Sequence, residues 1–268
     1  MGRIETVFTR LRRTGKKALI PFLMAGDPDL EQTAALLLEL EKRGADLIEL
    51  GVPFSDPIAD GPIIQRAAQR ALGRGTSLTT VLDLVSQLRS KTGVPLILLT
   101  YYNPVFRYGE ERFVQDALQA GVDGVIIPDL PPEEGRSLLQ RTAETDLDLV
   151  CLLAPTSPPE RIALIARVSQ GFIYYVSRTG ITGIRERLAE DLRTMLTRIR
   201  AVTDKPVAVG FGISNPAQAQ VVASFADGVI VGSALIKVIE EHLGDFPATL
   251  QKLGTSVAAL RQAIDTVG

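Results

Sequence analysis

Two acidic side chains stand where a proton-transfer site would need them. Glu49 lies near the end of Asp46-Leu47-Ile48-Glu49-Leu50-Gly51, and strand alternation sets it on one face with Leu47 and Gly51. A carboxylate buried on such a face either finds a cation or rises in pKa until it is neutral. The raised pKa suits a general acid/base. An ion pair would make Glu49 structural, but few basic residues lie at strand tops. Asp60 follows in Pro53-Phe54-Ser55-Asp56-Pro57-Ile58-Ala59-Asp60-Gly61-Pro62. Asp before Gly-Pro is commonly a turn former or a helix cap. Equally, two carboxylates of one strand–loop unit can share a substrate, one handling a hydroxyl proton and one an N–H. Asp27, Asp56 and Asp129 also follow apolar runs. Asp129, in Pro128-Asp129-Leu130-Pro131-Pro132, reads as a loop brace.

An anion site is written later in the chain. Val209-Gly210-Phe211-Gly212-Ile213-Ser214 leads to Asn215-Pro216, a cap followed by a first-turn proline, and Val231-Gly232-Ser233-Ala234 runs straight into another helix. Glycine lets backbone N–H groups approach phosphate oxygens, and a helix N-terminus favours negative charge. Either turn alone would need glycine anyway; it is the pair that points to phosphate. A third glycine-rich loop, Arg178-Thr179-Gly180-Ile181-Thr182-Gly183-Ile184-Arg185, is long enough to close over a site as a lid or to serve as a passive connector.

The rest of the inventory excludes much chemistry. The chain has one His and one Cys, His242 and Cys151, far apart, which disfavours a zinc site and nucleophile–histidine pairs. Lys16, Lys17 and Lys205 precede strands, while Lys42, Lys91, Lys237 and Lys252 lie in helices or at their ends. None is placed for a Schiff base at a strand top. Bond breaking would then rest on carboxylates and hydrogen bonds, without metal or bound cofactor.

Elements that could position these groups alternate along the sequence. Strands are expected at Ala18–Met24, Asp46–Leu50, Pro95–Tyr101, Gly124–Pro128, Leu149–Leu153, Phe172–Val176, Pro206–Val209 and Gly228–Val231. Several are apolar throughout, as parallel strands covered by helices should be. Between them lie helical periods, such as Leu30, Ala34, Leu37 and Leu40 after an Asp29/Gln32 start, with Gly44 as a stop. About eight such units in 268 residues, without a linker, predict a single (β/α)₈ TIM-barrel domain over residues 1–268. The rival, a doubly wound open sheet, would need a phosphate turn after its first strand, and Met24-Ala25-Gly26-Asp27-Pro28 has no G-x-G-x-x-G. In a barrel, chemistry gathers at the C-terminal strand ends.

The N-terminus matches a loose myristoylation pattern and carries arginines that could suggest targeting. Ile4, Val7, Phe8 and Leu11 instead fall on one helical face and predict an extra N-terminal packing helix. A formal net charge of −2 without a basic run disfavours nucleic acid. The absence of long apolar stretches disfavours a membrane span, and the lone cysteine fits a cytoplasmic setting.

Residues 49–65, Glu-Leu-Gly-Val-Pro-Phe-Ser-Asp-Pro-Ile-Ala-Asp-Gly-Pro-Ile-Ile-Gln, resemble the signature of the tryptophan synthase α subunit family. Pro21-Phe22, Gly26-Asp27-Pro28, Tyr175–Gly183, Gly210–Ser214 and Gly232-Ser233-Ala234 follow in family order. The resemblance implies retro-aldol cleavage of indole-3-glycerol phosphate to indole and glyceraldehyde 3-phosphate in tryptophan biosynthesis. It implies Glu49 as the acid/base, Asp60 as acceptor of the indole N–H, and Tyr174 as the active-site tyrosine. Phe22, Ile64, Leu99, Tyr101 and Phe211 would line the indole pocket. Gly183, Gly212, Gly232 and Ser233 would bind phosphate, and Arg178, Thr179, Gly180 and Thr182 would belong to the lid.

It further implies an αββα complex in which pyridoxal phosphate belongs to the β subunit, with loop 53–60 and the segment around Asn103 in contact. Tyr102 departs from the expected pattern by its bulk, which could alter the pocket wall or the partner contact. Two alternatives stand beside this reading: a stand-alone lyase releasing free indole, and a non-catalytic activating subunit.

Overall fold

The computed structural model describes residues 2–177, 184–210 and 212–267. Eight parallel strands close into a barrel in chain order. They are β1 (Ala18–Met24), β2 (Ile48–Gly51), β3 (Leu96–Leu99), β4 (Gly124–Ile126), β5 (Asp148–Leu153), β6 (Ile173–Val176), β7 (Val207–Gly210) and β8 (Gly228–Val231). Around and below them run α1 (Arg3–Arg13), α2 (Leu30–Lys42), α3 (Pro62–Gly73), α4 (Leu78–Leu88), α5 (Tyr102–Tyr108) and α6 (Glu110–Ala120). The ring continues with α7 (Arg136–Thr142), α8 (Pro159–Val168), α9 (Ile184–Arg200), α10 (Pro216–Ala223), α11 (Ser233–Glu241) and α12 (Phe246–Asp265). The expected TIM barrel is what forms. Helices are doubled after β2, β3 and β8, which simple strand–helix alternation did not anticipate. Among the described residues no helix is long and apolar enough to cross a membrane.

Alternation sorts each strand between two cores. Ala18, Ile20, Leu47, Ile97, Ile126, Val150, Tyr174, Ala208 and Ile230 fill the barrel interior, while residues such as Leu19, Leu96, Leu98 and Val209 pack against the helices. Helix α1 closes the bottom with Ile4, Phe8 and Leu11, and the Phe8 and Phe172 rings lie 5.6 Å apart. Such burial contributes roughly 1.5–3 kcal/mol per large apolar side chain. The N-terminal apolar stripe is therefore a packing face.

Strand ends differ from the expected ones for local reasons. β2 begins at Ile48 because Asp46 is spent in the preceding turn, its carboxylate accepting the Leu19 N–H at 3.1 Å and pairing with Arg261 at 2.9 Å. β3 stops at Leu99, since Tyr101 already caps α5. β4 stops at Ile126, just before Pro128, which has no N–H for a ladder. At the start of α2, Asp29 accepts the Gln32 N–H at 2.7 Å, as a cap should. The Gln32 side chain turns to the other Asp29 oxygen, also at 2.7 Å, instead of completing a reciprocal box. The buried face of α2 is Thr33, Leu36, Leu37 and Leu40, so Leu30 and Ala34 lie at its margin.

Candidate active site at the barrel mouth

Glu49 sits on β2 level with Phe22 of β1 and Ile97 of β3. It is 1% exposed. Its Oε1 has no hydrogen-bond partner among the described residues, so the structural ion pair that sequence left open is not formed. Burial alone pushes the carboxyl up to about 8. At neutral pH Glu49 is therefore a proton donor, and one deprotonation away from a base.

Asp60, in the loop between β2 and α3, is partly buried. Burial raises its carboxyl to about 6, opposed by a hydrogen bond from Tyr101. The Tyr101 hydroxyl also accepts the Ala59 N–H at 3.0 Å, and its ring packs 5.3 Å from Phe54. Tyr101 thus pins the Asp60 loop to the end of β3. Across the mouth, Tyr174 on β6 is 7% exposed. Burial, then the charges of Glu49 and Asp60, push its phenol well above the usual tyrosine range, so it stays neutral. The three groups thus share one electrostatic environment.

Two glycines make room for this arrangement. A Cβ on Gly51 would lie 2.6 Å from Phe22 Cζ, and one on Gly210 would lie 2.5 Å from the Tyr174 hydroxyl. From sequence Gly210 reads only as part of a phosphate turn; the clearance is a feature of the folded barrel. The contact joins two neighbouring strands through residues separated by a whole helix in sequence, and it leaves no local signal.

The expected anion cradle falls at the ends of β7 and β8. Leu235 and Ile236 make the first hydrogen bonds of α11, both to the Gly232 carbonyl. The amides of Ser233 and Ala234 precede them, in the position helix starts use for anions. Gly212 has φ 74°, a left-handed turn that glycine accepts without strain, and Asn215 caps α10 by accepting the Gln218 N–H at 3.0 Å. Register puts Phe22 opposite Glu49, and Pro21 opposite Val231, so Glu49, Phe22 and Gly232 stand level. Two strand spacings separate Glu49 from Gly232, roughly 10 Å, a span one small phosphorylated molecule can bridge. Arg178, Thr179, Gly180, Thr182, Gly183 and Phe211 lie outside the described residues.

Beside the mouth opens a cavity of about 440 Å³, with Ala59, Leu152 and Val176 on its mouth side. Of the residues expected around an indole ring, Phe22, Ile64, Leu99 and Tyr101 are not in its wall. Phe22 and Tyr101 are buried, while Ile64 and Leu99 are partly exposed. Tyr102 points away from the mouth. Its hydroxyl donates to Glu110 at 2.9 Å and its ring lies 5.8 Å from Phe106, which removes it as a pocket wall. Asp129 is the expected brace, accepting the Tyr102 N–H at 2.9 Å. Asp27 accepts from two of the three Arg70 guanidinium nitrogens, Nε and Nη2, each at 2.8 Å, a structural use. No cluster of three or more metal-ligating side chains occurs among the described residues.

A closed eight-stranded barrel with a buried acid at one rim, its Oε1 without a partner among the described residues, and a helix start two strands away has the build of a (β/α)₈-barrel enzyme. The comparisons narrow that class. The family described as tryptophan synthase alpha chain matches residues 8–265. The tryptophan synthase alpha chain of Geotalea uraniireducens is 54% identical over 268 residues, covering 100% of both chains, and that of Geobacter sp. (strain M21) is 53% identical over 98% of each. The crystal structure of tryptophan synthase subunit alpha from Legionella pneumophila superposes with a TM-score of 0.91 at 41% identity, covering 99% of both chains. The chain belongs to the tryptophan synthase alpha chain family, which cleaves indole-3-glycerol phosphate to indole and glyceraldehyde 3-phosphate. In this family the α chain needs no cofactor, pyridoxal phosphate belonging to the β subunit with which it forms a complex.

Proposed function

We propose that Glu49, Asp60 and Tyr174 carry this cleavage in the present chain. Glu49 gives its proton to indole C3, and Asp60 accepts the ring N–H as positive charge develops on nitrogen. The Glu49 carboxylate then takes the proton of the hydroxyl on the adjoining carbon. The carbon–carbon bond breaks, its electron pair returns to the indole ring, and the hydroxyl carbon becomes the aldehyde. Glu49 ends as it began, protonated, and no metal or lysine is required. Neutral Tyr174 can donate a hydrogen bond near the reacting carbon. Gly212, Gly232 and Ser233 would hold the phosphate, and Phe22 and Leu99 would flank the ring.

The observation that carries this reading is the buried Glu49 carboxyl, whose Oε1 has no partner among the described residues and which stands level with the start of α11. Each acid/base group of this kind contributes roughly 10²–10⁴ in rate. The test is release of indole from indole-3-glycerol phosphate by the purified chain, with and without a β subunit. No indole under either condition overturns the assignment, and strong activation by the partner separates the synthase reading from a stand-alone lyase. Ile58 in loop 53–60 is 83% exposed and Phe106, close to Asn103, is 66% exposed. Exposed apolar side chains at those positions support the β-subunit contact there. A cytoplasmic setting belongs to the same reading, supported by the biosynthetic role of the family.

A further inference from the structure

The closed barrel wall is short on one side. Strand β4 has only three residues, and its ladder to β5 ends at Ile126 opposite Val150. β5 runs on through Cys151, Leu152 and Leu153. The chain beyond β4 turns off at Pro128, so a seam is left above Val150. The 440 Å³ cavity lies in that seam. Val150 and Leu152 on its wall belong to the barrel interior, whereas Leu149, Cys151 and Leu153 belong to the layer facing the helices. Those two sets occupy opposite faces of one strand. A cavity bordered by both passes through the wall, from the mouth into the space under α7 and α8.

Its position matters for the substrate. In a closed eight-stranded barrel, β4 lies across from β8. A molecule held by its phosphate at Gly232 and Ser233, with its ring N–H at Asp60, extends toward the β4–β5 side. Ala59, next to Asp60, already forms part of the cavity wall. The charged groups at the rim are engaged elsewhere: Arg161 pairs with Glu133 at 2.8 Å, and Asp129 accepts the Tyr102 amide. Apart from Arg161, Asp129, the Ser157 hydroxyl and the Cys151 thiol, which burial keeps protonated, the lining side chains are apolar. Such a lining accepts halogen or methyl groups and rejects charge.

We propose that the β4–β5 seam is a subsite for apolar substituents on the benzo ring of the indole, so that the site accepts ring-halogenated and ring-methylated indole glycerol phosphates. The proposal rests on the placement of substrate by Asp60 and the β8 turn given above. The test compares the parent substrate with versions brominated at each benzo position in turn, using the full chain and a Leu139→Phe variant. Leu139 borders the cavity from α7 and touches no proposed catalytic group.

At least one brominated substrate should be cleaved nearly as well as the parent. Leu139→Phe should cut its kcat/KM by about tenfold or more, the scale of a pocket that loses room for one small group, and leave the parent unchanged. Refusal of every brominated substrate by a chain that cleaves the parent overturns the subsite, as does an equal effect of Leu139→Phe on both. Failure to cleave the parent overturns instead the catalytic reading beneath it. Should Leu139→Phe fail to fold, a crystal of the native chain with a non-cleavable brominated analogue decides. Bromine scattering beside Cys151 supports the subsite, and bromine anywhere else refutes it.

Discussion

Glu49 at the top of the barrel and Asp123 at the bottom are both almost wholly buried acids, 1% and 4% exposed. Asp123 is surrounded by donors: Arg3 at 2.8 Å, Arg89 at 2.6 Å and the Leu96 N–H at 2.8 Å. Glu49 leaves one oxygen without any among the described residues. Burial is the same in both places, and the partners decide what it does. With donors, a buried carboxylate braces the fold; without them, it is pushed into the pH range where protons move. Asp148 shows that a raised pKa alone is not enough. Burial and the nearby acids Glu5, Asp123 and Asp146 lift it to about 6, against Lys205. It sits at the N-terminal end of β5, remote from the anion cradle at the opposite rim, and no substrate would meet it.

The contrast is tested most sharply by paired substitutions. Glu49→Gln keeps shape and removes the proton, so kcat/KM should fall at least ~10²–10⁴-fold. Affinity for glycerol phosphate, read by calorimetry, should stay within a few fold, because the helix amides are untouched. Full activity in this variant would remove Glu49 from the mechanism. Asp123→Ala should do the reverse. It leaves Arg89 and the Leu96 amide buried without their acceptor, a loss of about 3–5 kcal/mol in urea unfolding, with kcat per folded molecule unchanged. A drop in kcat without a drop in stability would erase the distinction between the two ends.

How much of this could be read from the residues follows the same division. Glu49 was legible because strand alternation is local, and three residues of context place it on the inner face. The α11 start and the Asn215 cap were legible for the same reason. The brace around Asp123 was not, since Arg3, Arg89 and Leu96 come from separate parts of the chain and meet only after closure. Tyr101 was expected as a pocket wall from family resemblance, and its hold on Ala59 and Asp60 appears only when β3 lies beside the loop after β2. The same holds for Gly51 and Gly210, whose missing side chains matter because of Phe22 and Tyr174 on neighbouring strands. Doubling of the helices is not given by strand–helix alternation, which requires only one helix per unit.

A smaller effect separates the two acids of the mouth. In the proposed mechanism Asp60 is ionised when it accepts the N–H, and Glu49 starts protonated. Cleavage should therefore rise toward pH 6 and fall above pH 8, following the raised values of about 6 and about 8. Asp60→Asn should flatten the acid limb and slow the reaction, by roughly 10²-fold if it acts as a full acid/base partner. An acid limb that survives in Asp60→Asn assigns that limb to another group.

The smallest effect is one of stability, and it isolates Glu49 from catalysis altogether. Between pH 4.5 and about 8 the unfolded chain has lost the Glu49 proton while the folded chain keeps it. The folded state then binds more protons, so stability declines as pH rises through that window. Ionisation above pH 8 also leaves a charge with an unpaired oxygen in an apolar site. Glu49→Gln carries no proton to lose. Its melting temperature should fall less than the native one between pH 5 and pH 9, by several degrees at the ~2–4 °C per kcal/mol expected for a chain of this size. Parallel pH slopes for native protein and Glu49→Gln would mean that water or a neighbour already satisfies the acid, and the difference between the two ends of the barrel would then need another cause.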